Sequence, residues 1–351
     1  MPDRSEIAAS KAIQRRTGRT FHLATRGLPG WARHPTYVLY AFFRIADEVV
    51  DDPDPAPPSE QRAELERIRE AALGERETDD PVLSAFAALR QRHGISEREI
   101  HEFVDAMERD IDQERYDSYE DLEAYLRGSS VAVAYMMLAV MDPEEKETAR
   151  PHAKALGEAF QLTNFLRDVR EDVEDYGRIY LPRELLDEYG VTEEQIESLS
   201  FDENLATAMA NELARTESLY RKGVAGIRYL PDDCQFAVLA AATLYAEHHR
   251  FIRACGFDVL SERPTLSTPR RLWVLARTWL HWRRTGDPEA TFYLVAPVDP
   301  SSAETAVEAS PDGSGLAEGE KPEDVNSSCR VSHGLSTLVR SIRSWLPPRT
   351  P

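Results

Sequence analysis

The sequence predicts an all-α protein. Apolar residues recur at spacings of three and four through most of the chain, as they do along the buried face of a helix. Runs with the alternating pattern of a β-strand are scarce, and proline and glycine fall mainly between the periodic segments. These patterns predict helices near residues 5–26, 34–51, 59–73, 81–92, 96–113, 118–140, 144–174, 203–228, 232–255 and 269–284.

Two of these helices end at recognisable breaks. The sequence PDPAPP, at 53–58, stops the second helix, because proline lacks the backbone N–H and fixes its own φ. Gly177 lies just beyond the helix predicted at 144–174. Glycine readily takes the left-handed conformation that closes many helices, so we expect this helix to end there.

Composition divides the chain into three regions. Residues 1–297 are predicted to form one helical domain, which is long enough to bury a single large core. Residues 298–330 are rich in Ser, Gly, Pro, Ala and Glu and contain no aromatic residue, so we predict a disordered acidic linker. Residues 331–351 regain apolar residues and are predicted to form a short amphipathic helix.

The charge balance excludes one large class of function. The 351 residues include 62 Asp and Glu against 42 Lys and Arg, which gives a formal net charge of -20. The phosphates of DNA or RNA would repel such a surface, so we expect no nucleic-acid partner. Because the acids are spread along the whole chain, we predict a halophilic protein, whose self-repulsion is screened by high salt.

Cysteine content and hydropathy predict a cytoplasmic location. Cys234, Cys255 and Cys329 are widely spaced, which fits neither a disulfide framework nor a metal cluster. The first residues, MPDRSEIAAS, contain no apolar signal segment. The longest apolar run, at 131–141, is too short to cross a bilayer as a helix.

The sequence FQLTNFLRDVRED places polar side chains on an otherwise apolar helix. Residues four apart share one helical face, so Asn164, Asp168 and Asp172 form a stripe. Gln161 lies beside this stripe. Two carboxylates in an apolar setting require a neutralising cation. Arg167 is one candidate for that cation, and a divalent metal is the other.

An earlier segment, YVLYAFFRIADEVVDD, repeats the pattern. It carries Asp47 and Asp51 four residues apart, with Arg44 one turn before them. Such pairs alone mean little in so acidic a chain, but an apolar setting with an adjacent arginine occurs twice here. Both pairs lie near the C-terminal ends of predicted helices, where the helix dipole is already negative. We therefore expect a cation near each pair.

These two segments, together with RTFHLATRGLP and ERYDSYEDLEAYLRGSSVAVAYMM, resemble the squalene/phytoene synthase family of head-to-head prenyl synthases. The most specific part is Gln-x-x-Asn-x-x-Arg-Asp-x-x-x-Asp followed by Gly-Arg-x-Tyr-Leu-Pro. The resemblance extends over roughly residues 5–285. It implies a single-domain, isoprenoid-synthase-type helical bundle around a central cavity. Two allylic diphosphates would bind in this cavity with Mg²⁺, or with Mn²⁺ in its place.

The resemblance also implies roles for individual residues. The implied metal ligands are Asp47, Asp51, Asp168 and Asp172. The residues implied in catalysis are these four with Tyr40, Arg44, Asn164, Arg167 and Tyr245. The residues implied in substrate binding are Phe21, Tyr125, Gln161, Phe165, Arg178 and Arg263. A planar guanidinium matches diphosphate oxygens, and tyrosine offers a hydroxyl to phosphate and a ring face to a carbocation.

The implied reaction condenses two geranylgeranyl diphosphates, through prephytoene diphosphate, to 15-cis-phytoene in carotenoid biosynthesis. The alternative is a squalene or dehydrosqualene synthase that uses two farnesyl diphosphates. Val131 stands where the family usually has glycine, which leaves the chain length of the substrate open. A non-catalytic assembly protein of the same fold is a further alternative, although the intact Asp pairs argue against it.

The C-terminal segment leads to a separate hypothesis about location. Its apolar residues recur at spacings of three and four, its arginines lie off or beside that face, and no acid follows Asp324. We hypothesise that it lies on anionic lipid at the inner face of the membrane, with Trp345 at the interface. This position would hold the chain near its substrate and near a downstream phytoene desaturase. Packing on the protein's own surface and disorder are the alternatives.

Overall fold

The computed structural model describes residue 10, residues 23–52 and residues 54–300, and no strand occurs in this part of the chain. The predicted all-α class is confirmed. The α-helices are α1 (Gly30–Val50), α2 (Pro58–Leu73), α3 (Pro81–His93), α4 (Glu97–Arg109), α5 (Tyr119–Leu126), α6 (Val133–Met141), α7 (Lys146–Tyr176), α8 (Arg183–Glu188), α9 (Glu193–Glu197), α10 (Glu203–Val224), α11 (Asp232–Ala254), α12 (Thr268–Thr285) and α13 (Pro288–Val295). A π-helical segment, Arg127–Ala132, joins α5 to α6, and a 3-10 turn, Ile227–Tyr229, precedes α11.

Most predicted helices are confirmed, and the predictions differ from the structure mainly in where a helix ends. The predicted ends at 113 and 228 are too late, because α4 stops at Arg109 and α10 at Val224. In both places an apolar side chain beyond the helix, Ile111 or Ile227, still packs against the core and prolongs the apolar pattern. The short helices α8, α9 and α13 were not predicted, because five to eight residues are too few to show a period.

The single helix predicted at 118–140 is wrong in its middle, where the π-helical segment interrupts it. A Cβ added to Gly128 would lie 2.0 Å from the carbonyl oxygen of Glu102 and 2.6 Å from the Cβ of Ala106. The segment therefore approaches α4 more closely than any residue except glycine permits. Tertiary packing accounts for this close approach, and the period of apolar residues does not reveal it.

The long helix α7 is the central element. It packs against α10 and also against α6, α11 and the π-helical segment. On one side of the domain, Phe42 of α1 stacks on Phe86 of α3 with ring centroids 3.8 Å apart. On another side, Tyr220 of α10 stacks on Phe292 of α13 at 5.8 Å. Tyr220 also lies 6.1 Å from the ring of Phe160 on α7. These aromatic contacts help to fix α1 and α7, the two helices that carry the acidic pairs.

One described stretch, Tyr119–Met141, is long and apolar enough to cross a membrane by length and composition. However, 61% of its apolar window is buried inside the protein. Leu126, Val131 and Met136 all contribute to the buried core. In this fold the stretch therefore forms part of the protein interior.

Several predictions fall outside the described residues. They are most of the helix at 5–26, the linker beyond residue 300, the amphipathic helix at 331–351 and the binding residue Phe21. These remain predictions. Gly177, in contrast, is described: it has a φ of 68° and its N–H donates to the carbonyl of Val173, which ends α7 as expected.

Candidate functional site

A cavity of about 840 Å³ lies among α1, the π-helical segment, α6, α7, α11 and the loop at 263–266. Its charged residues come chiefly from the C-terminal ends of α1 and α7, whereas α6 contributes mainly apolar ones. Every predicted site residue that the structure describes lines this cavity: Tyr40, Arg44, Asp47, Asp51, Tyr125, Gln161, Asn164, Phe165, Arg167, Asp168, Asp172, Arg178, Tyr245 and Arg263. The fold thus brings both acidic pairs to one cavity.

The first acidic pair lies at the end of α1. Arg44 Nη1 is 3.7 Å from Asp47 Oδ2, and its Nε is 3.5 Å from Glu48 Oε1. The Asp47 side chain is 35% exposed, but it lines the cavity and is therefore surrounded by protein. Burial, followed by repulsion from Asp51, raises the pKa of Asp47 to about 7 despite the nearby guanidinium. The pair therefore has more negative charge than Arg44 offsets.

The second acidic pair lies in the last turns of α7. Asp168 accepts hydrogen bonds from Arg167 Nε at 2.7 Å, Arg167 Nη2 at 2.5 Å and Arg263 Nε at 2.7 Å. Arg263 also pairs with Glu171. Burial, followed by repulsion from Asp168 and Glu171, raises the pKa of Asp172 to about 8. Asp168 is thus neutralised by arginines, while Asp172 is not.

Arg178 connects the two helices. Its Nη1 donates to Asp51 Oδ1 at 3.1 Å, and its Nη2 donates to the carbonyls of Val50 at 3.3 Å and Asp110 at 2.9 Å. The positive charge of Arg178 also lowers the pKa of Asp172, which partly offsets the increase that burial causes. The left-handed Gly177 turns the chain out of α7 at the point from which Arg178 reaches α1. This contact holds the ends of α1 and α7 together.

Aromatic rings form part of the cavity wall. Tyr245 of α11 stacks on Phe160 of α7 with centroids 4.6 Å apart. Phe165 stacks on Tyr180 at 3.9 Å, and Tyr125 lies 5.8 Å from Tyr180. These rings offer apolar surface and π faces to whatever enters.

Two amides complete the polar part of the wall. Asn164 Nδ2 donates to Gln161 Oε1 at 3.5 Å, a long contact that leaves both side chains with further hydrogen-bonding capacity. They lie on α7 before Asp168, as the stripe in the sequence predicts.

Sequence reasoning missed several cavity residues, among them Asp110, Tyr180, His248 and Arg271. Asp110 Oδ2 accepts the Tyr125 hydroxyl at 2.9 Å, and burial raises the Asp110 pKa to about 7. Burial, followed by Arg167, lowers the pKa of His248 well below its usual value, so its imidazole is neutral. Tyr180 is the tyrosine of the Gly-Arg-x-Tyr-Leu-Pro motif, so that motif could have indicated it. No spacing signal separates Asp110, His248 and Arg271 from the many other polar residues of the chain.

Val131, the departure from the family pattern, does not line the cavity. It is fully buried in the π-helical segment, behind the wall. Its neighbours Ser129, Ser130 and Val133 are the residues that face the cavity. The valine therefore changes packing behind the wall and leaves the cavity lining small.

The carboxylates fit a magnesium ion that is shared with a ligand. Among the described residues, no three His, Cys, Asp or Glu side chains converge on one point. Mg²⁺ usually keeps several waters and binds through one or two carboxylates together with phosphate oxygens. Asp pairs supply ligands in that number. The raised pKa values at Asp47 and Asp172 mark negative charge that a divalent cation would neutralise.

Comparisons with known proteins agree with this geometry. The family described as squalene/phytoene synthase matches residues 14–270. A 15-cis-phytoene synthase of Synechococcus elongatus is 30% identical over 290 residues, which is 77% of this chain and 93% of that protein. A phytoene synthase of Rhodobacter capsulatus is 30% identical and covers 75% of this chain and 78% of its own length. A ligand-bound dehydrosqualene synthase superposes with a TM-score of 0.71 at 26% identity, covering 80% of this chain and 97% of its own.

Proposed function

We propose, since the chain belongs to the squalene/phytoene synthase family, that it condenses two geranylgeranyl diphosphates head to head to give 15-cis-phytoene. One observation carries this proposal. Two Asp pairs, each beside an arginine, line a single cavity whose other walls are largely apolar and aromatic. Such a cavity suits a ligand with a diphosphate head and a long hydrocarbon tail.

Mg²⁺, or Mn²⁺ in its place, would be held by Asp47, Asp51, Asp168 and Asp172. When bound, it would supply positive charge to the leaving diphosphate. Arg178 would keep the two pairs close to each other through its contacts with α1. Arg167 and Arg263 lie against Asp168, where their guanidinium groups can exchange a carboxylate for phosphate oxygens.

The arginines and amides would assist ionisation of the first substrate. As its C1–O bond breaks, negative charge grows on the diphosphate, and fixed donors around it lower the barrier. Arg44, Arg167, Arg178 and Arg263 are the donors that line the cavity near the acidic pairs. Gln161 and Asn164 would add neutral hydrogen bonds to the same group.

The aromatic rings of the cavity wall would stabilise the allylic cation that remains after the diphosphate leaves. The C2=C3 bond of the second substrate attacks C1 of the allylic cation, and loss of a proton closes the cyclopropane of prephytoene diphosphate. A second ionisation, rearrangement of the ring and loss of another proton give phytoene. Tyr245, Phe165 and Tyr125 present ring faces that stabilise positive charge and exclude water.

Two alternatives remain. The likeness to a dehydrosqualene synthase favours testing farnesyl diphosphate as the substrate. A non-catalytic assembly role would not require both Asp pairs and their arginines to line one cavity, as they do here.

A product assay separates these functions. The purified chain is incubated with Mg²⁺ and either geranylgeranyl or farnesyl diphosphate, with and without NADPH, and products are identified by mass spectrometry. Phytoene from geranylgeranyl diphosphate, independent of NADPH, is the expected result. Squalene or dehydrosqualene as the main product would instead support the alternative function, a squalene or dehydrosqualene synthase. Absence of product from either substrate, in a folded chain, would favour the assembly role.

The proposed location is the cytoplasm, with peripheral contact at the inner face of the membrane. A water-insoluble product would pass directly to a downstream phytoene desaturase. The amphipathic segment at 331–351 lies outside the described residues, so the tail hypothesis stays a prediction. Co-sedimentation with liposomes, comparing the full chain with a form that ends at Asn326, tests it.

A further inference from the structure

A group of large apolar side chains is exposed on one helix. Leu272, Trp273, Trp279 and Leu280, all on α12, are 43–55% exposed. They are four of the six exposed large hydrophobic side chains in the described part of the chain. Leu294 of α13 is another, at 48%, and its carbonyl accepts a 2.7 Å hydrogen bond from Arg277 of α12. The exposed apolar surface is thus concentrated on one side of the molecule.

The helix geometry separates this surface from the core. Val274 and Thr278 are fully buried, one turn apart, on the inner side of α12. Between 272 and 283 the exposed residues lie at 272, 273, 276, 279, 280 and 283, which are spacings of three and four along the opposite side. We call this side the α12 face. It is a continuous stripe, unlike the single exposed apolar residues that occur on any protein surface.

The helix that carries the α12 face is also basic, and Arg283 lies on the face itself. Helix α12 contains five arginines and no acid, whereas 62 acids in 351 residues would place about three in its 18 residues. Arg270 lies 4.3 Å above the ring of Trp273, and Arg283 lies 5.0 Å above that of Trp279. Among the described residues, no carboxylate forms an ion pair with Arg283 or Arg284. In a chain of charge -20, this helix is an exception.

We propose that the α12 face docks on an anionic lipid surface. Tryptophan and leucine beside arginines are the combination that places a helix at the boundary between headgroups and acyl chains. Arg283 and Arg284 complement acidic headgroups, whereas Arg270 is paired with Glu247. The indole rings enter the interface. A second copy of this chain fits less well, because a symmetric contact would set the arginines of one face against those of the other.

The face begins at the rim of the cavity. Pro264, Thr265 and Leu266, which lead into α12, line the cavity, and so does Arg271. The next residue, Leu272, belongs to the exposed face. Docking by this face would bring the cavity wall at 264–266 near the bilayer. If the proposed function holds, substrate tails and product would then cross little water on their way in or out; the docking itself does not depend on that function.

Vesicle co-sedimentation of the full chain, without substrate, tests the proposal. The vesicles are phosphatidylcholine with or without phosphatidylglycerol, at low and at molar KCl. Trp273→Ser with Trp279→Ser removes the rings, and Arg283→Glu with Arg284→Glu reverses the charge. Trp31→Ser is the matched control, because Trp31 is equally exposed, at 47%, but lies on α1 and donates to the acidic Asp233. Melting curves verify that each variant is folded.

The native chain and Trp31→Ser should bind vesicles that contain phosphatidylglycerol. Loss of both rings should weaken this binding at least about tenfold at either salt. The charge reversal should weaken it similarly at low salt and much less in molar KCl. Product formation in detergent micelles should not change in either double variant, so failure of docking and failure of the proposed enzyme activity are distinguishable.

Three results would overturn the proposal. The first is equal sedimentation of the native chain and both double variants, or no sedimentation at all. The second is loss of binding only when Trp345 and Leu346 in the tail are changed to Ser, since the tail alone would then be the anchor. The third is a native dimer that the double Trp variant converts to a monomer, which would show that a second copy covers the face.

Discussion

Arg178→Met should destabilise the fold by separating the ends of α1 and α7. The Arg178 side chain is 8% exposed and bonds Asp51 Oδ1 together with the carbonyls of Val50 and Asp110. Methionine fills a similar volume but donates no hydrogen bond. The change would therefore leave a carboxylate and two carbonyls without this partner, with little loss of packing.

The magnitude follows from the burial of the pair. Removing one member of a buried ion pair costs about 3–5 kcal/mol, because the other charge is left uncompensated. The Asp51 side chain keeps 25% exposure, so water offsets part of the loss and the lower end, about 3 kcal/mol, is expected. Unfolding entropy is about 2.1 cal/mol/K per residue, so in a domain of about 300 residues 1 kcal/mol shifts the melting temperature by roughly 1.6 °C. Arg178→Met should therefore lower Tm by about 5 °C.

Circular dichroism recorded during thermal melting measures this shift. The KCl concentration is fixed, and Mg²⁺ and diphosphate are left out because ligands would change the apparent stability. Arg98→Met is the matched control. Arg98 is 69% exposed and contacts Glu102 at 3.3 Å, an exposed pair worth about 0.5 kcal/mol or less. If the two variants melt within about 2 °C of each other, Arg178 does not hold the two helices together and the reasoning is wrong.

Four further outcomes are expected. Asp168→Asn should abolish product formation in a chain that still folds, although loss of its ion pairs with Arg167 and Arg263 should lower Tm; normal turnover at saturating Mg²⁺ would remove Asp168 from the ligand set. Arg167→Lys should lower kcat/KM more than about threefold, roughly 0.6 kcal/mol, because an ammonium cannot reproduce a bidentate fork. Gly128→Ala should lower Tm because its Cβ would lie 2.0 Å from a carbonyl oxygen of α4, whereas Gly30→Ala, with open space around it, should not. Finally, Tm should rise with KCl towards molar concentrations, and a flat profile would rule out the halophilic prediction.

The acidic pairs are the part of the site that could be predicted from the sequence. Each pair was recognisable because its spacing matches one helical face and its setting is apolar, two properties that are local in the chain. Asp110 has neither property in its own segment, yet it lines the same cavity and accepts the hydroxyl of Tyr125. It becomes part of the site only because α4 packs beside α1, and one sequence cannot display that proximity.

Sequence alone determined the helical class, the two acidic stripes and the break at Gly177, because each depends on interactions among residues within a few turns of one another. Tertiary structure alone decided that Arg178 reaches Asp51, that Arg263 reaches Asp168 and that glycine at 128 admits a π-helical turn. It also decided which side of α12 faces water. These outcomes depend on distances between segments far apart in the chain, and packing sets such distances without leaving a period in the sequence.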